Sequence, residues 1–187
     1  MASGKSTVAR MISGRGILHV DADKIVHHLL QHDRATIAEI AAAFPTASNK
    51  KTIDRAALAA AIGKNPDALA TLEHILHPRV RAWEEAAIAH ARRRRARALI
   101  LDIPLLFETD AQELCDVVIV AHAPFSLRRA RAFARAGMTE EKWERLIARQ
   151  LTDHIRNRVA DVVIPTGIGR GVTRRHVQLL MKQWGLR

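Results

Sequence analysis

Apolar positions along the chain follow two rhythms. Four short runs, at residues 17–20, 98–101, 116–120 and 161–164, are almost unbroken in Ile, Val, Leu and Ala. Continuous apolar runs of this length suit strands buried on both faces, as in parallel sheets. All four touch an aspartate: Asp21 and Asp102 follow the first two runs, and Asp116 and Asp161 open the third and fourth. Between the runs the apolar residues recur every three or four positions, the helical spacing. Helices are predicted at 6–13, 23–31, 37–44, 55–62, 66–77, 125–135 and from 140, with a closing helix marked by Val177, Leu180, Met181 and Trp184. Asp54 and Thr139 precede two of these as caps, and Asn65-Pro66 supplies a cap followed by proline at the first helical position. Pro78 is expected to end one helix and restart another, whose apolar stripe is Val80, Trp83, Ala87 and Ala91. Strands alternating with helices predict an α/β fold with a parallel sheet. The helical stretch at about 54–91 is too long for a plain crossover and predicts an inserted subdomain within a single domain spanning 1–187.

Composition narrows the class. The 187 residues are 48% hydrophobic, enough for a core. No apolar run reaches the roughly 18 residues of a membrane span, and no leader peptide is read at the start. Cys115 is the single cysteine, so a structural thiol in a reducing, cytoplasmic setting is expected. The formal charge of +11, from 30 Lys+Arg and 19 Asp+Glu, points to an anionic partner. The four-arginine run at 92–95 suggests nucleic acid. Aromatics are only 4% and Tyr is absent, so it reads instead as a solvated helix end. His74 and His77 lie one helical turn apart but have no further ligand in pattern, so a metal site is not expected there.

Ser3-Gly4-Lys5-Ser6-Thr7, just before a helix, has the form of the second half of a phosphate-binding loop. There the glycine lets backbone N–H groups approach a polyphosphate, the lysine neutralises its β- and γ-phosphates, and the hydroxyl of Ser6 reaches Mg²⁺. Asp21-Ala22-Asp23 follows a strand, where parallel sheets place ligand-binding carboxylates. Asp23 fits both a base that accepts a hydroxyl proton and a helix cap. Asp102 fits both a Mg²⁺-holding acid and a strand terminator. Arg131 and Arg135 lie with Arg128, Arg129, Arg145 and Arg149 on two helices after the third strand. Arg128, Arg129 and Arg145 read as a solvated face.

The chain resembles the dephospho-coenzyme A kinase family along nearly its whole length. The matching stretches, in order, are GKSTVAR at 4–10, VDADKIVHHLL at 20–30, IDRAAL at 53–58, LEHILHPRV at 72–80, DIPLLFET at 102–109, DVVIVAHAP at 116–124, RAGMTEEK at 135–142, ARQ at 148–150 and ADVVI at 160–164. The resemblance implies a P-loop kinase three-layer sandwich with a helical substrate-binding insert and a helical lid at about 124–152. It implies ATP-dependent phosphorylation of the ribose 3′-hydroxyl of dephospho-CoA, the last step of CoA synthesis, with ATP and Mg²⁺ and no nucleic-acid or membrane partner, by a monomer or weak homo-oligomer. The alternatives are another small-molecule or nucleoside-monophosphate P-loop kinase, or a catalytically impaired, truncated relative. By the resemblance Asp23, Lys5 and Arg131 are catalytic. Ala2, Ser3, Gly4, Lys5, Ser6, Thr7 and Arg135 bind ATP, Asp21, His77 and Arg131 bind substrate, and Ser6 and Asp102 hold the metal. Two departures stand out. The family's first strand and first loop glycine do not precede Ala2, so roughly ten further residues are expected ahead of Met1, with that strand between 98–102 and 116–120. Ile164-Pro165-Thr166-Gly167 replaces the family's Asp-Asn-rich loop, and no adenine contact is carried over to it.

Overall fold

The computed structural model describes residues 1–12, 14–49, 51–63 and 65–186. Along the chain run α1 (Lys5–Met11), β1 (Ile17–Asp21), α2 (Ala22–His32), α3 (Arg34–Ala43), α4 (Arg55–Ile62), α5 (Pro66–Arg93), β2 (Ala98–Asp102), β3 (Ile119–His122), α6 (Phe125–Phe133), α7 (Glu140–Ala148), α8 (Asp153–Val159), β4 (Val162–Pro165) and α9 (Arg170–Gln183). The expected end of α1, Ser13, lies outside the described residues. The chain divides into two compact units, Met1–Val20 with Arg93–Arg187, and Asp21–Arg92.

In the first unit the strands form two pairs, β1 with β2 and β3 with β4. β3 and β4 run parallel, with Ile119 opposite Val162 and His122 opposite Pro165. Among the described residues β2 and β3 belong to different pairs, while α1 packs on both. α1 also meets α9, and α9 covers β4. Val8 and Ile12 of α1, Ala121 of β3, Ile164 of β4 and Val177, Leu180 and Met181 of α9 make one buried cluster. Burial of each aliphatic side chain there contributes about 1.5–3 kcal/mol. The third strand starts later than expected, at Ile119 and not at 116. Asp161 is the reason: its carboxylate accepts from Val118 N at 2.7 Å, and the Val118 carbonyl takes both Asp161 N and Val162 N. This side-chain clamp replaces the first rung of the ladder, and Asp116 and Val117 stay exposed.

The second unit is helical. Ile25, Leu29 and Leu30 of α2, Ile37 and Ile40 of α3, Leu58 of α4 and Ile75 and Leu76 of α5 are buried. Aspartates start the helices: Asp33 accepts from Thr36 N at 2.8 Å, and Asp54 from Ala56 N at 2.7 Å. Pro78 does not break α5, which runs unbroken for 28 residues. Proline brings no N–H to this turn, but the Arg79 guanidinium reaches back to the Ile75 carbonyl at 2.6 Å and also pairs with Glu39. The expected stripe is corrected too. Trp83 is 45% exposed, and Glu84, at 3%, occupies the buried face with Ala91. No described helix is long and apolar enough to cross a membrane.

Candidate active site

Around α1 the first unit gathers most of the sequence-predicted residues. Gly4 caps the helix with φ +91°, a left-handed conformation open to glycine at little cost. A Cβ there would press to 3.3 Å on the Thr166 side chain. The Gly4 carbonyl accepts from Thr7 N at 2.9 Å and Val8 N at 3.0 Å, starting the helix. Ala2 also has positive φ, +53°, which costs a residue with a Cβ and is the kind of outlier that clusters at ligand sites.

Lys5 extends from α1 to the end of β2, where its ammonium contacts Asp102 Oδ1. Asp102 is buried, at 3% exposure. Its other oxygen, Oδ2, is buried without a hydrogen-bond donor, with His19 Nε2 at 3.9 Å. A buried carboxylate with one oxygen unspent has capacity for a further cation or donor. Ser6, next along α1, is exposed, and its carbonyl accepts from Arg10 Nε at 2.9 Å.

Thr166 was not among the predicted site residues, yet it joins three parts of the site. Its hydroxyl lies against the Ser3 carbonyl and, at 3.0 Å, the His122 carbonyl. Its own carbonyl accepts from Arg131 Nη2 at 2.8 Å. One buried threonine thus ties the start of the loop, the end of β3 and the arginine-bearing helix α6. Gly167, next to it, sits so close to α6 that a Cβ would fall 2.7 Å from Pro124 Cδ. Arg135 lies beyond the end of α6 and is exposed.

Arg128 does not form part of a solvated face. It is 4% exposed and ion-paired to Asp153, which also holds Arg156. Burial pulls the Arg128 pKa below its ordinary value, and Asp153 opposes that fall. Glu108, from the DIPLLFET stretch, accepts from Leu151 N at 2.7 Å and so anchors the segment after α7.

The second unit carries the remaining candidates. Asp21 is the cap of α2, accepting from Asp23 N at 3.0 Å and Lys24 N at 3.3 Å. Asp23 is therefore not the cap: it stands in the first helical turn, exposed. His77 is exposed on α5. Among the described residues no three His, Cys, Asp or Glu side chains group as a metal cluster.

A family model described as dephospho-CoA kinase matches residues 1–168. A dephospho-CoA kinase of Gluconobacter oxydans is 41% identical, with 97% of this chain and 92% of the relative covered. One from Mesorhizobium japonicum is 40% identical, over 96% and 90%. A crystal structure from Thermus thermophilus superposes with TM-score 0.78 at 26% identity, over 98% of this chain and 93% of the other. A dephospho-CoA kinase from Campylobacter jejuni, 24% identical, shares the fold with TM-score 0.68, over 98% and 93%.

Proposed function

The chain belongs to the dephospho-CoA kinase family, and from that premise we propose how its residues divide the work. The activity is ATP-dependent transfer of a phosphoryl group to the ribose 3′-hydroxyl of dephospho-CoA, which gives CoA and ADP in the last step of CoA synthesis. The new O–P bond forms at the 3′-oxygen, the bond from the γ-phosphorus to the β–γ bridging oxygen breaks, and the hydroxyl proton needs an acceptor.

We assign that proton to Asp23. Its carboxylate is exposed in the first turn of α2, while the neighbouring Asp21 is engaged in capping, an arrangement suited to orienting an incoming alcohol. Residues 2–7 cradle the phosphates of ATP, with Lys5 on the β- and γ-phosphates. Arg131 and Arg135 belong to the lid at about 124–152 and meet charge developing on the transferred group. His77 and the helical segment at about 54–91 receive dephospho-CoA, with Asp21 beside the catalytic carboxylate.

Mg²⁺ fits the donors present, because a hard cation takes oxygen ligands and Asp102 Oδ2 is a buried oxygen with no donor. Ser6 and Asp102 would hold it, and when bound it neutralises phosphate charge. The enzyme works in the cytoplasm as a monomer or weak homo-oligomer. A single, half-buried cysteine suits a reducing compartment.

The contact between Lys5 and the buried Asp102 carries this assignment, because it joins the loop to an acid at a strand end. The test is CoA formation by the purified protein with ATP, dephospho-CoA and Mg²⁺, compared with Lys5→Met. A fall of about 10²-fold or more in kcat is expected. Unchanged turnover in Lys5→Met overturns the phosphate-loop assignment.

A further inference from the structure

The far end of α1 opens onto a second concavity. Met11 lies about 9 Å along the helix from Lys5, at 1.5 Å per residue. Here the end of α1, the turn at Gly14 and Arg15, the residue Arg97 before β2 and one face of α9 line an open concavity of about 640 Å³. That volume is within the range of small-molecule sites.

Its lining has two parts. Arg10, Arg15, Arg97 and Arg174 supply four guanidinium groups, while Met11, Val177 and Met181 supply an apolar floor. Among the described lining residues there is no carboxylate and no aromatic ring. Arg97 is held in place from two sides: its backbone N–H bonds the Gly16 carbonyl at 2.7 Å, and its Nη2 donates to the Gly185 carbonyl. Gly16 has φ +79°, and a Cβ on it would crowd the Arg97 side chain at 3.3 Å, so the turn is shaped around this arginine. Arg10 spends one of its five N–H groups on the Ser6 carbonyl.

The like charges of Arg10, Arg15 and Arg174 repel one another across the concavity, and an anion relieves that repulsion. Guanidinium forks match the oxygens of phosphate, two at a time. The floor adds a surface that a phosphate alone cannot use. Methionines adapt to flexible aliphatic chains, and with no ring to stack on, a nucleobase gains little. We propose that this cavity is a second ligand site, separate from the phosphate loop, that takes an aliphatic phosphate monoester: the head on the arginines, the chain on Met11, Val177 and Met181.

The test is calorimetric titration of the full chain with octyl phosphate, in the presence of saturating ADP so that the phosphate loop is filled. Binding is expected with Kd on the order of 10–100 μM, and at least about tenfold weaker for inorganic phosphate and for octyl glucoside, each of which offers half the ligand. The double variant Arg15→Gln, Arg174→Gln should weaken octyl phosphate about tenfold or more, and each single variant about threefold. Arg15 and Arg174 are exposed, so the thermal melts should match the unsubstituted protein. Arg92→Gln controls for general surface charge and should change nothing. Absence of binding under ADP overturns the proposal, as does octyl phosphate binding that is indifferent to the arginine pair or lost equally in Arg92→Gln.

Discussion

At the scale of residues, the two aspartates of the DAD stretch have separated roles. Spacing alone left Asp23 as either cap or base, because both positions follow a strand and precede a helix. The cap is Asp21, and the base role is the one we propose for Asp23. Asp23→Asn is expected to lower kcat by about 10²–10⁴-fold with KM for dephospho-CoA changed little, since an amide orients an alcohol but accepts no proton. Near-normal turnover in this variant sinks the base assignment. Arg131 bonds the Thr166 carbonyl, and Thr166 in turn touches the loop at Ser3. Arg131→Ala should therefore reduce kcat more than it weakens substrate binding, while Arg92→Ala, outside the lid, alters neither. Equal losses at both positions would mean that bulk positive charge is what matters. Lys5 and Asp102 were legible because a glycine-lysine-hydroxyl sequence and an acid after an apolar run are local patterns. Thr166 was not legible: its meaning comes from contact with a segment 163 residues away. Arg128 was misread for a related reason. Arginine is rarely buried, and only Asp153 on α8, unseen as a helix in the sequence, makes its burial tolerable.

At the scale of elements, strand and helix order was readable from the apolar rhythm, while ends and breaks were not. β3 begins at Ile119 because the Asp161 side chain substitutes for ladder bonds, a choice invisible in a run of valines. α5 passes through Pro78 although a mid-helix proline costs about 3 kcal/mol, offset by packing of Ile75 and Leu76 just before it and by the reach of Arg79. The same helix buries Glu84, and desolvation raises its pKa above the ordinary 4.5, with Glu85 adding to the rise and Arg81 opposing it. A carboxyl whose folded pKa is raised favours folding below its unfolded pKa, and that contribution is lost as pH climbs through the folded value. Glu84→Gln should consequently raise Tm at about pH 8 and leave it nearly unchanged at about pH 4, near the unfolded pKa. A variant that melts lower at both pH values would show that the ionised carboxylate is satisfied where it stands.

At the scale of the whole molecule, the sequence pointed to a parallel α/β fold with a helical insertion, and its motif order to the family. The chain folds into two units, one built on α1, β1–β4 and α9, the other mainly helical with one antiparallel bridge between Ser48 and Ile53. The pairing of strands two by two could not be read from apolar runs, which announce a buried strand without naming its neighbours. This pairing has a kinetic signature. In a parallel strand a residue's N–H and C=O point to the same side, and successive residues alternate. Val118 and His122 turn theirs toward β4, as their bonds to Val162 and Thr166 record, so Val120 does likewise and Ile119 and Ala121 face the opposite edge. Within one four-residue strand, hydrogen exchange in the 187-residue chain should therefore alternate. The amides of Val120 and His122 should be slow, and those of Ile119 and Ala121 faster by about tenfold or more. Uniform protection along β3 would reveal a bonding partner on that edge. If the rates do alternate, deuterium entering this one strand reports, residue by residue, which edge of β3 is bonded to β4 and which stands open.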